Sequence, residues 1–211
     1  MSETIGPVRK AFHDELDHID RQVSRLFAMV TESLAAATDT FLAGDRETAL
    51  EVKGRDAFID ELEQEVEEIV ERVLLFQAPV ASEFHHLIAV LRIVPELERS
   101  GDLAEHIASR AATGLGTQLP PVVRGLIEQL GEKVVAMWRT AADAFADGDG
   151  SVQEQLRVAD DEVNALHTEL CAALVAADPP TELAMEMALV ARFYERLGDH
   201  AEHITARLPK R

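Results

Sequence analysis

The chain has 211 residues, of which 47 % are hydrophobic and 5 % are aromatic. Its formal net charge is −19, from 39 acidic residues against 20 Lys and Arg, which excludes a surface that neutralises nucleic-acid phosphates. A single cysteine, Cys171, excludes an internal disulfide and a zinc finger. The abundance of Ala, Leu, Val and Glu favours helices. We expect neither a signal peptide nor a long uncharged apolar run, so the sequence predicts a cytoplasmic protein.

Three helices are predicted in the first half. Apolar residues from Phe12 to Phe41 recur at alternating steps of three and four, which is the seam of a long packed helix. Gly44-Asp45 ends this helix, and Asp45 suits the N-cap of a second helix whose seam runs from Val52 to Val73. Ser82 is the predicted cap of a third helix, which continues to about residue 112.

The second half repeats the first. The segment 113–121 has the composition of a linker. Seam residues of the first helix then recur 104 positions later, from Val123 to Phe145, and Gly148-Asp149 repeats Gly44-Asp45 at the same offset. The sequence therefore predicts an all-α fold of six helices, arranged as two tandem, pseudo-symmetric antiparallel three-helix bundles. Their predicted boundaries are 1–112 and 122–211.

One ten-residue segment occurs twice. Residues 98–107 read Glu-Arg-Ser-Gly-Asp-Leu-Ala-Glu-His-Ile, and residues 195–204 repeat eight of these ten positions. Each copy places a Glu and an Asp at positions i and i+4, on one face of a helix. A glycine inside a helix costs about 1 kcal/mol relative to alanine. Gly101 and Gly198 therefore indicate a close approach, either by an ion cluster or by a neighbouring backbone.

Distances from two predicted turns show which acids face each other. Residues equidistant from a hairpin turn lie level across the hairpin, and Asp60 and Glu98 are each 19 residues from Pro79. In the second half, Asn164 and Glu195 are 15 and 16 residues from Pro179. Spacing therefore predicts one four-ligand cluster in each half. The first comprises Asp56, Asp60, Glu98 and Asp102, and the second comprises Asp160, Asn164, Glu195 and Asp199.

Such clusters are expected to bind cations. Four converging oxygen-bearing side chains repel one another unless they are protonated or bridged by cations. Hard ions that prefer carboxylates, namely magnesium, manganese, calcium or iron, are the natural partners. Histidine ligands would instead favour iron, manganese or zinc. The alternative is a solvated acidic surface paired with Arg99 and Arg196. Further candidate ligands on the edges of the same stripes are Glu105, His106, Glu202 and His203.

A competing pattern indicates an enzyme. Glu15-x-x-His18 and Glu83-x-x-His86 both fit the Glu-x-x-His signature of carboxylate-bridged di-metal, ferritin-like bundles. This function requires the four side chains to converge in a bundle interior. However, so short a motif arises by chance in acidic helices, and Glu83 also suits the first turn of a helix.

The paired motifs resemble those of the PhoU family of bacterial phosphate-uptake regulators, over nearly the whole chain. The residues that carry the resemblance are 56–60, 98–102, 160–164 and 195–199, together with the turn Gln-Ala-Pro-Val-Ala-Ser at 77–82. The resemblance implies a non-enzymatic protein whose motifs bind multinuclear metal clusters. It also implies a negative regulator of phosphate uptake and phosphate-starvation signalling, which contacts a phosphate ABC transporter and a membrane sensor histidine kinase.

The sequence departs from the family pattern in places. Asn164 replaces the last acid of one motif, which should weaken the second cluster. Glu83-Phe-His85 stands where the family usually has Asp-Leu-Arg. Because PhoU-like domains also serve other transporters, an accessory role for another transporter is an alternative. The resemblance places the protein at the membrane only through its partners, and it leaves the native metal and a homodimer open.

Overall fold

A computed structural model describes the backbone of residues 7–208 and the side chains of residues 9–208. Within this range the chain forms helices and no strand, so the predicted all-α class with a three-helix unit in each half is confirmed. Two short 3-10 helices cover Leu115–Gln118 and Gly150–Val152. The α-helices are α1 (Pro7–Ala43), α2 (Arg46–Lys53), α3 (Asp56–Phe76), α4 (Ala81–Ala112), α5 (Pro121–Asp147), α6 (Gln153–Ala177) and α7 (Thr181–Thr205).

The turns that end α1 and α5 have the same chemistry. Gly44 and Gly148 adopt φ values of 72° and 60°, a left-handed conformation that glycine accepts without steric cost. An aspartate follows each glycine, and Asp45 accepts a hydrogen bond from the backbone N–H of Thr48 at 3.1 Å. The predicted N-cap at Asp45 is therefore confirmed.

Two local predictions were wrong. The second predicted helix is divided into α2 and α3 at Gly54 and Arg55, where the Arg55 N–H donates to the Val52 carbonyl three residues back. Glycine is a poor helix former, which makes this a natural point of interruption. Ser82 is not the cap of α4, because the helix already begins at Ala81. Instead, the Glu83 carboxylate accepts a hydrogen bond from the backbone N–H of Val80, the residue before the helix, at 2.8 Å.

The two halves share one continuous apolar core. The first helices of the two halves, α1 and α5, pack against each other, and so do the last helices, α4 and α7. The last helices run antiparallel, because Arg110 near the end of α4 contacts Glu186 near the start of α7, while Arg207 after α7 contacts Arg92. The Phe27 ring lies 6.1 Å from that of Trp138 across the α1–α5 contact. Trp138 also donates its indole N–H to the Leu197 carbonyl on α7 at 3.0 Å. The predicted core position of Trp138 is therefore confirmed.

The segment 113–121 is structured rather than loose. It contains the first 3-10 helix, and Leu115 and Leu119 are buried. Arg124 donates to the carbonyl of Gly116 in this segment, at 2.8 Å, and to that of Leu42 at the end of α1, at 2.6 Å. These bonds fix the connection between the halves against α1.

Helix α1 meets one test for a membrane-spanning segment. By length and composition it is long and apolar enough to cross a membrane, with a mean hydropathy of 1.2 in an 18-residue window within 9–43. The sequence predicts no long uncharged apolar run, and this helix does not contradict that prediction, because it carries charged residues such as Glu32 and Asp39. Half of that window is buried inside the fold. The apolar seam of the whole helix, from Phe12 to Phe41, packs against other helices. Burial of this kind is typical of a core helix.

Candidate functional site

The hairpin of α3 and α4 brings together the four oxygen ligands predicted in the first half. Asp56 and Asp60 project from α3 and Asp102 from α4, and one carboxylate oxygen from each lies within 4.8 Å of the others. Glu98 lies close enough to these acids that burial, followed by the charges of Asp102 and Asp60, raises its pKa. One buried oxygen each of Asp56 and Asp60 has no hydrogen-bond partner among the described residues.

This crowding shifts the protonation of Asp56. Burial, followed by the negative charges of Asp102, Asp60 and Glu105, raises the pKa of Asp56 from its ordinary 3.8 to about 7. A carboxylate with so high a pKa is partly protonated near neutral pH when no cation is bound. A cation that bound these oxygens would therefore have to displace a proton.

The hairpin of α6 and α7 assembles the equivalent cluster of the second half. Burial, then the charges of Asp199, Glu202 and Glu195, raise the pKa of Asp160 to about 6. A hydrogen bond from the Asn164 amide to Asp160, at 2.9 Å, acts in the opposite direction. One buried oxygen each of Asp160 and Glu195 lacks a partner among the described residues.

The two clusters differ in their acidic side chains. Within residues 9–208, Asp56, Asp60 and Asp102 are the one group of three His, Cys or acidic side chains whose ligand atoms lie within 4.8 Å of one another. In the second half, the amide of Asn164 stands where the third acid of such a group would be. The structure thus brings the members of both predicted sets near one another, and the first set includes a compact group of three carboxylates.

The two glycines of the repeated motif allow α3 and α6 to approach. A Cβ atom placed on Gly101 would lie 2.9 Å from Ile59 and 3.3 Å from the Asp56 carboxylate. A Cβ atom placed on Gly198 would lie 2.9 Å from the Asp160 carboxylate. In both halves the close approach is therefore made by side chains of the facing helix, including the first acid of each cluster.

Of the less central candidates, the glutamates belong to the clusters and the histidines lie outside them. Glu105 and Glu202 contribute to the raised pKa values of Asp56 and Asp160. The side chains of His106 and His203 are 52 % and 57 % exposed. Each histidine contacts the glutamate that precedes it, at 2.9 Å for His106 and 3.8 Å for His203. The histidines therefore sit on the outer rim.

Two positively charged side chains at the clusters were not predicted from the sequence. Lys53 Nζ lies 3.4 Å from Glu105, and Arg192 donates a hydrogen bond to Glu195. Burial raises the pKa of Glu105, but hydrogen bonds from Ser109, Lys53 and the adjacent histidine outweigh it and lower the pKa. The spacing of Arg192 from Glu195, three residues on one helix, was a usable signal. Lys53 gave none, because it lies on the separate helix α2.

The arginines of the repeated motif do not neutralise the first cluster. Arg99 is 60 % exposed, and its guanidinium lies 3.9 Å from Glu96. Its charge lowers the pKa of Glu98, yet burial and the neighbouring acids raise that pKa by more. A purely solvated surface with arginine partners therefore does not describe the partly buried first cluster.

The side chains that a di-metal enzyme requires do not meet. Glu83 binds Arg9 at 2.5 Å, and His86 Nε2 lies 2.7 Å from Asp20. Among residues 9–208, no common group of metal-ligand atoms joins the four candidates. These candidates are Glu15, His18, Glu83 and His86.

Comparisons with known proteins point to one family. The PhoU domain model matches residues 23–111 and 127–208, which together make up most of the chain. A relative from Mycobacterium tuberculosis, named phosphate-specific transport system accessory protein PhoU homolog 2, is 27 % identical over 204 residues. That alignment covers 95 % of this chain and 96 % of the relative.

Solved structures agree with this match. The crystal structure of PhoU from Pseudomonas aeruginosa superposes with a TM-score of 0.86 at 26 % identity, covering 93 % of this chain and 96 % of that one. The phosphate transport system regulatory protein PhoU from Streptococcus pneumoniae superposes with a TM-score of 0.82 at 20 % identity, covering 93 % and 94 %. This second likeness concerns the fold alone.

Proposed function

The chain belongs to the PhoU family, and we propose that it is a metal-binding accessory protein of a phosphate ABC transporter that represses phosphate uptake and phosphate-starvation signalling. It acts at the cytoplasmic side of the membrane through protein contacts and without turnover. The name of the mycobacterial relative, an accessory protein of the phosphate-specific transport system, supports the transporter as partner. A membrane sensor histidine kinase is the proposed second partner, through which the starvation signal is repressed.

The observation that carries the metal-binding part is a pair of acidic clusters with buried carboxylate oxygens that accept no hydrogen bond. Such oxygens are costly to bury alone, and a cation compensates them. A bound cation would supply the positive charge that neutralises these carboxylates, which come from both helices of each hairpin. The residues that would hold it are Asp56, Asp60, Glu98 and Asp102 in the first half, and Asp160, Asn164, Glu195 and Asp199 in the second.

The ligand chemistry narrows the choice of metal. Carboxylate and amide oxygens suit magnesium, manganese or iron, which are hard cations. Zinc would gain from imidazole ligands, but His106 and His203 lie on the exposed rim. We therefore propose multinuclear clusters of magnesium, manganese or iron.

A genetic experiment tests the regulatory role. Deleting the gene should derepress phosphate-starvation genes and phosphate uptake in phosphate-rich medium, and the wild-type gene should restore repression. The variant Asp102→Ala with Asp199→Ala should not restore it. A matched control, Glu61→Ala with Glu68→Ala, removes two exposed acids from α3 and should behave as wild type. Unchanged expression of these genes after deletion would count against the role.

Two biochemical measurements separate the remaining alternatives. Elemental analysis of protein purified without chelator should find metal in the wild type and less in the double aspartate variant. Equal metal contents would indicate a helical adaptor that acts without metal. Co-purification should recover phosphate-transporter components, whereas recovery of a different transporter would indicate an accessory role there.

A further inference from the structure

A cavity of about 430 Å³ opens where the first turns of α4 meet the end of α7. It lies between the two halves, because most of its lining comes from α4 while Arg207 follows α7. None of the lining residues is acidic, although the chain carries a net charge of −19. The lining residues are Ser82, His85, His86, Ile88, Ala89, Arg92 and Arg207.

The pseudo-symmetry of the chain gives an equivalent site for comparison, at the other end of the α4–α7 pair. The 97-residue offset of the repeated motif relates Arg207 to Arg110, which lines a cleft between the end of α4 and the start of α7. There, the Arg110 guanidinium lies 2.7 Å from the Glu186 carboxylate. The same offset relates His85 to Glu182, a second acid of that cleft. Of the two equivalent clefts, one is therefore lined by cations without any acid, whereas the other is lined by one arginine and two glutamates.

The cationic cavity offers hydrogen-bond donors that the protein itself does not use. Arg92 is exposed, and none of its five guanidinium donors has a partner among residues 9–208. Arg207 donates to the Arg92 carbonyl at 2.6 Å and to Glu96 at 2.9 Å, which holds its guanidinium in place and leaves three N–H groups. The Nδ1 atom of His85 bonds the carbonyl of Ala81 at 2.6 Å, so its Nε2 is available.

The nearby acids do not cancel this charge. Asp20 pairs with His86 at 2.7 Å, and Glu96 pairs with Arg207. Each acid thus compensates one lining cation. The permanent charge of Arg92 has no counter-ion among the described residues, so the cavity attracts anions.

We propose that this cavity binds a small molecule that carries a phosphoryl group. Two guanidinium groups from different elements can bond several oxygens of a tetrahedral anion, whereas a planar carboxylate offers only two. The volume falls within the range of about 300–1,000 Å³ of small-molecule sites, which is more than a lone phosphate fills. Ile88 and Ala89 provide an apolar wall for an organic part of the ligand.

Calorimetric titration of the full chain tests the proposal. Adenosine monophosphate and inorganic phosphate serve as probes, each with and without chelator. We expect saturable binding of one molecule per chain, unaffected by chelator. Arg92→Gln should weaken it by about tenfold or more, because charge-assisted hydrogen bonds are lost. The control Arg139→Gln removes an equally exposed arginine from α5 and should leave binding unchanged.

The two probes identify the source of the phosphoryl group. Tighter binding of adenosine monophosphate supports an organic phosphate that uses the apolar wall, and equal binding of both probes supports free phosphate. If neither probe shows saturable binding, the proposal is overturned. It is also overturned if Arg92→Gln binds like the wild type, or if chelator abolishes binding, since the latter assigns the ligand to the metal clusters instead.

Discussion

The acidic clusters of the two halves occupy equivalent positions but differ in how far the protein itself compensates them. In the first cluster, burial and then the charges of Asp102 and Asp60 raise the pKa of Asp56 to about 7. In the second, Asn164 takes the place of Asp60 and donates a hydrogen bond to Asp160 at 2.9 Å. Burial and the neighbouring acids raise the pKa of Asp160 to about 6, and this hydrogen bond acts against the rise. One substitution thus converts a repelling neighbour into a stabilising one.

The cations around the clusters differ as well. Lys53 reaches Glu105 at the rim of the first cluster, whereas its equivalent Arg157 binds two acids of its own helix. Conversely, Arg192 binds Glu195 inside the second cluster, and the equivalent residue of the first half is Pro95, which has no donor. Helix geometry therefore preserves the placement of the oxygens, while the compensating groups diverge. We expect the first cluster to depend more strongly on a bound cation.

Removing one central aspartate from each half tests this difference most directly. Titration of metal-free protein with manganese should show a tighter and a weaker class of sites. Asp102→Ala should abolish the tighter class, with a loss at least as large as the roughly 10- to 100-fold that loss of supporting partners costs a metal site. Asp199→Ala should affect only the weaker class. Loss of the weaker class from Asp102→Ala would reverse the assignment.

Exchanging the one ligand that differs should make the metal affinities of the two clusters more similar. Asn164→Asp adds a carboxylate, and we expect manganese affinity in the second half to rise by about tenfold, or about 1.4 kcal/mol. Without metal the same variant should be less stable, because the hydrogen bond to Asp160 is replaced by repulsion. The reciprocal change Asp60→Asn should weaken the first site. Unfolding with and without chelator measures both effects, and equal affinities before and after the exchange would contradict them.

The acidic clusters could be predicted because their geometry is local. Helical periodicity places residues i and i+4 on one face, and equal distances from Pro79 bring Asp60 level with Glu98. Neither step needs knowledge of the other half. The division between α2 and α3 was missed because Val52 and Ile59 are seven residues apart, close to two helical turns, so the apolar seam keeps its phase across Gly54.

The contact between the halves was not predicted, although the sequence held a signal. The repeated ten-residue segments differ at two positions, Ser100 against Leu197 and Leu103 against His200. In the structure, the two polar members of these pairs meet: Ser100 Oγ lies 2.9 Å from His200 Nδ1, and both residues are buried. The apolar periodicity of a helix indicates the face that packs within its own half. Helices α4 and α7 each have a second buried face, which is buried only because the other half covers it.

The pH dependence of the metal-free protein should also distinguish the clusters. Because the pKa of Asp56 is about 7 in the folded state against an ordinary 3.8, the folded state holds an extra proton between these values. The protonated Asp56 carboxyl therefore contributes to stability at low pH, and this contribution is lost as the pH rises from about 4 to 7. Asp56→Asn should therefore gain stability relative to the wild type across this window.

The matched variant Asp160→Asn should show a smaller gain, complete near pH 6, since the pKa of Asp160 is about 6. Urea unfolding in chelator at several pH values measures the difference between each variant and the wild type. Curves that run parallel to the wild type over the whole range would show that these carboxyls do not titrate as the structure requires.

The smallest expected effect concerns the rim of the first cluster. Lys53→Gln removes the ammonium group that lies 3.4 Å from Glu105, which should raise the pKa of Glu105 and leave its charge available to a cation. We expect manganese affinity in the first half to rise about two- to threefold and stability to change by less than about 1 kcal/mol, because exposed ion pairs contribute little. Arg157→Gln, the equivalent change, should leave the second site unaltered, since Arg157 binds Glu154 and Asp161 rather than the cluster. An equal response to both substitutions would indicate a general effect of net charge instead of the local pairing of Lys53 with Glu105.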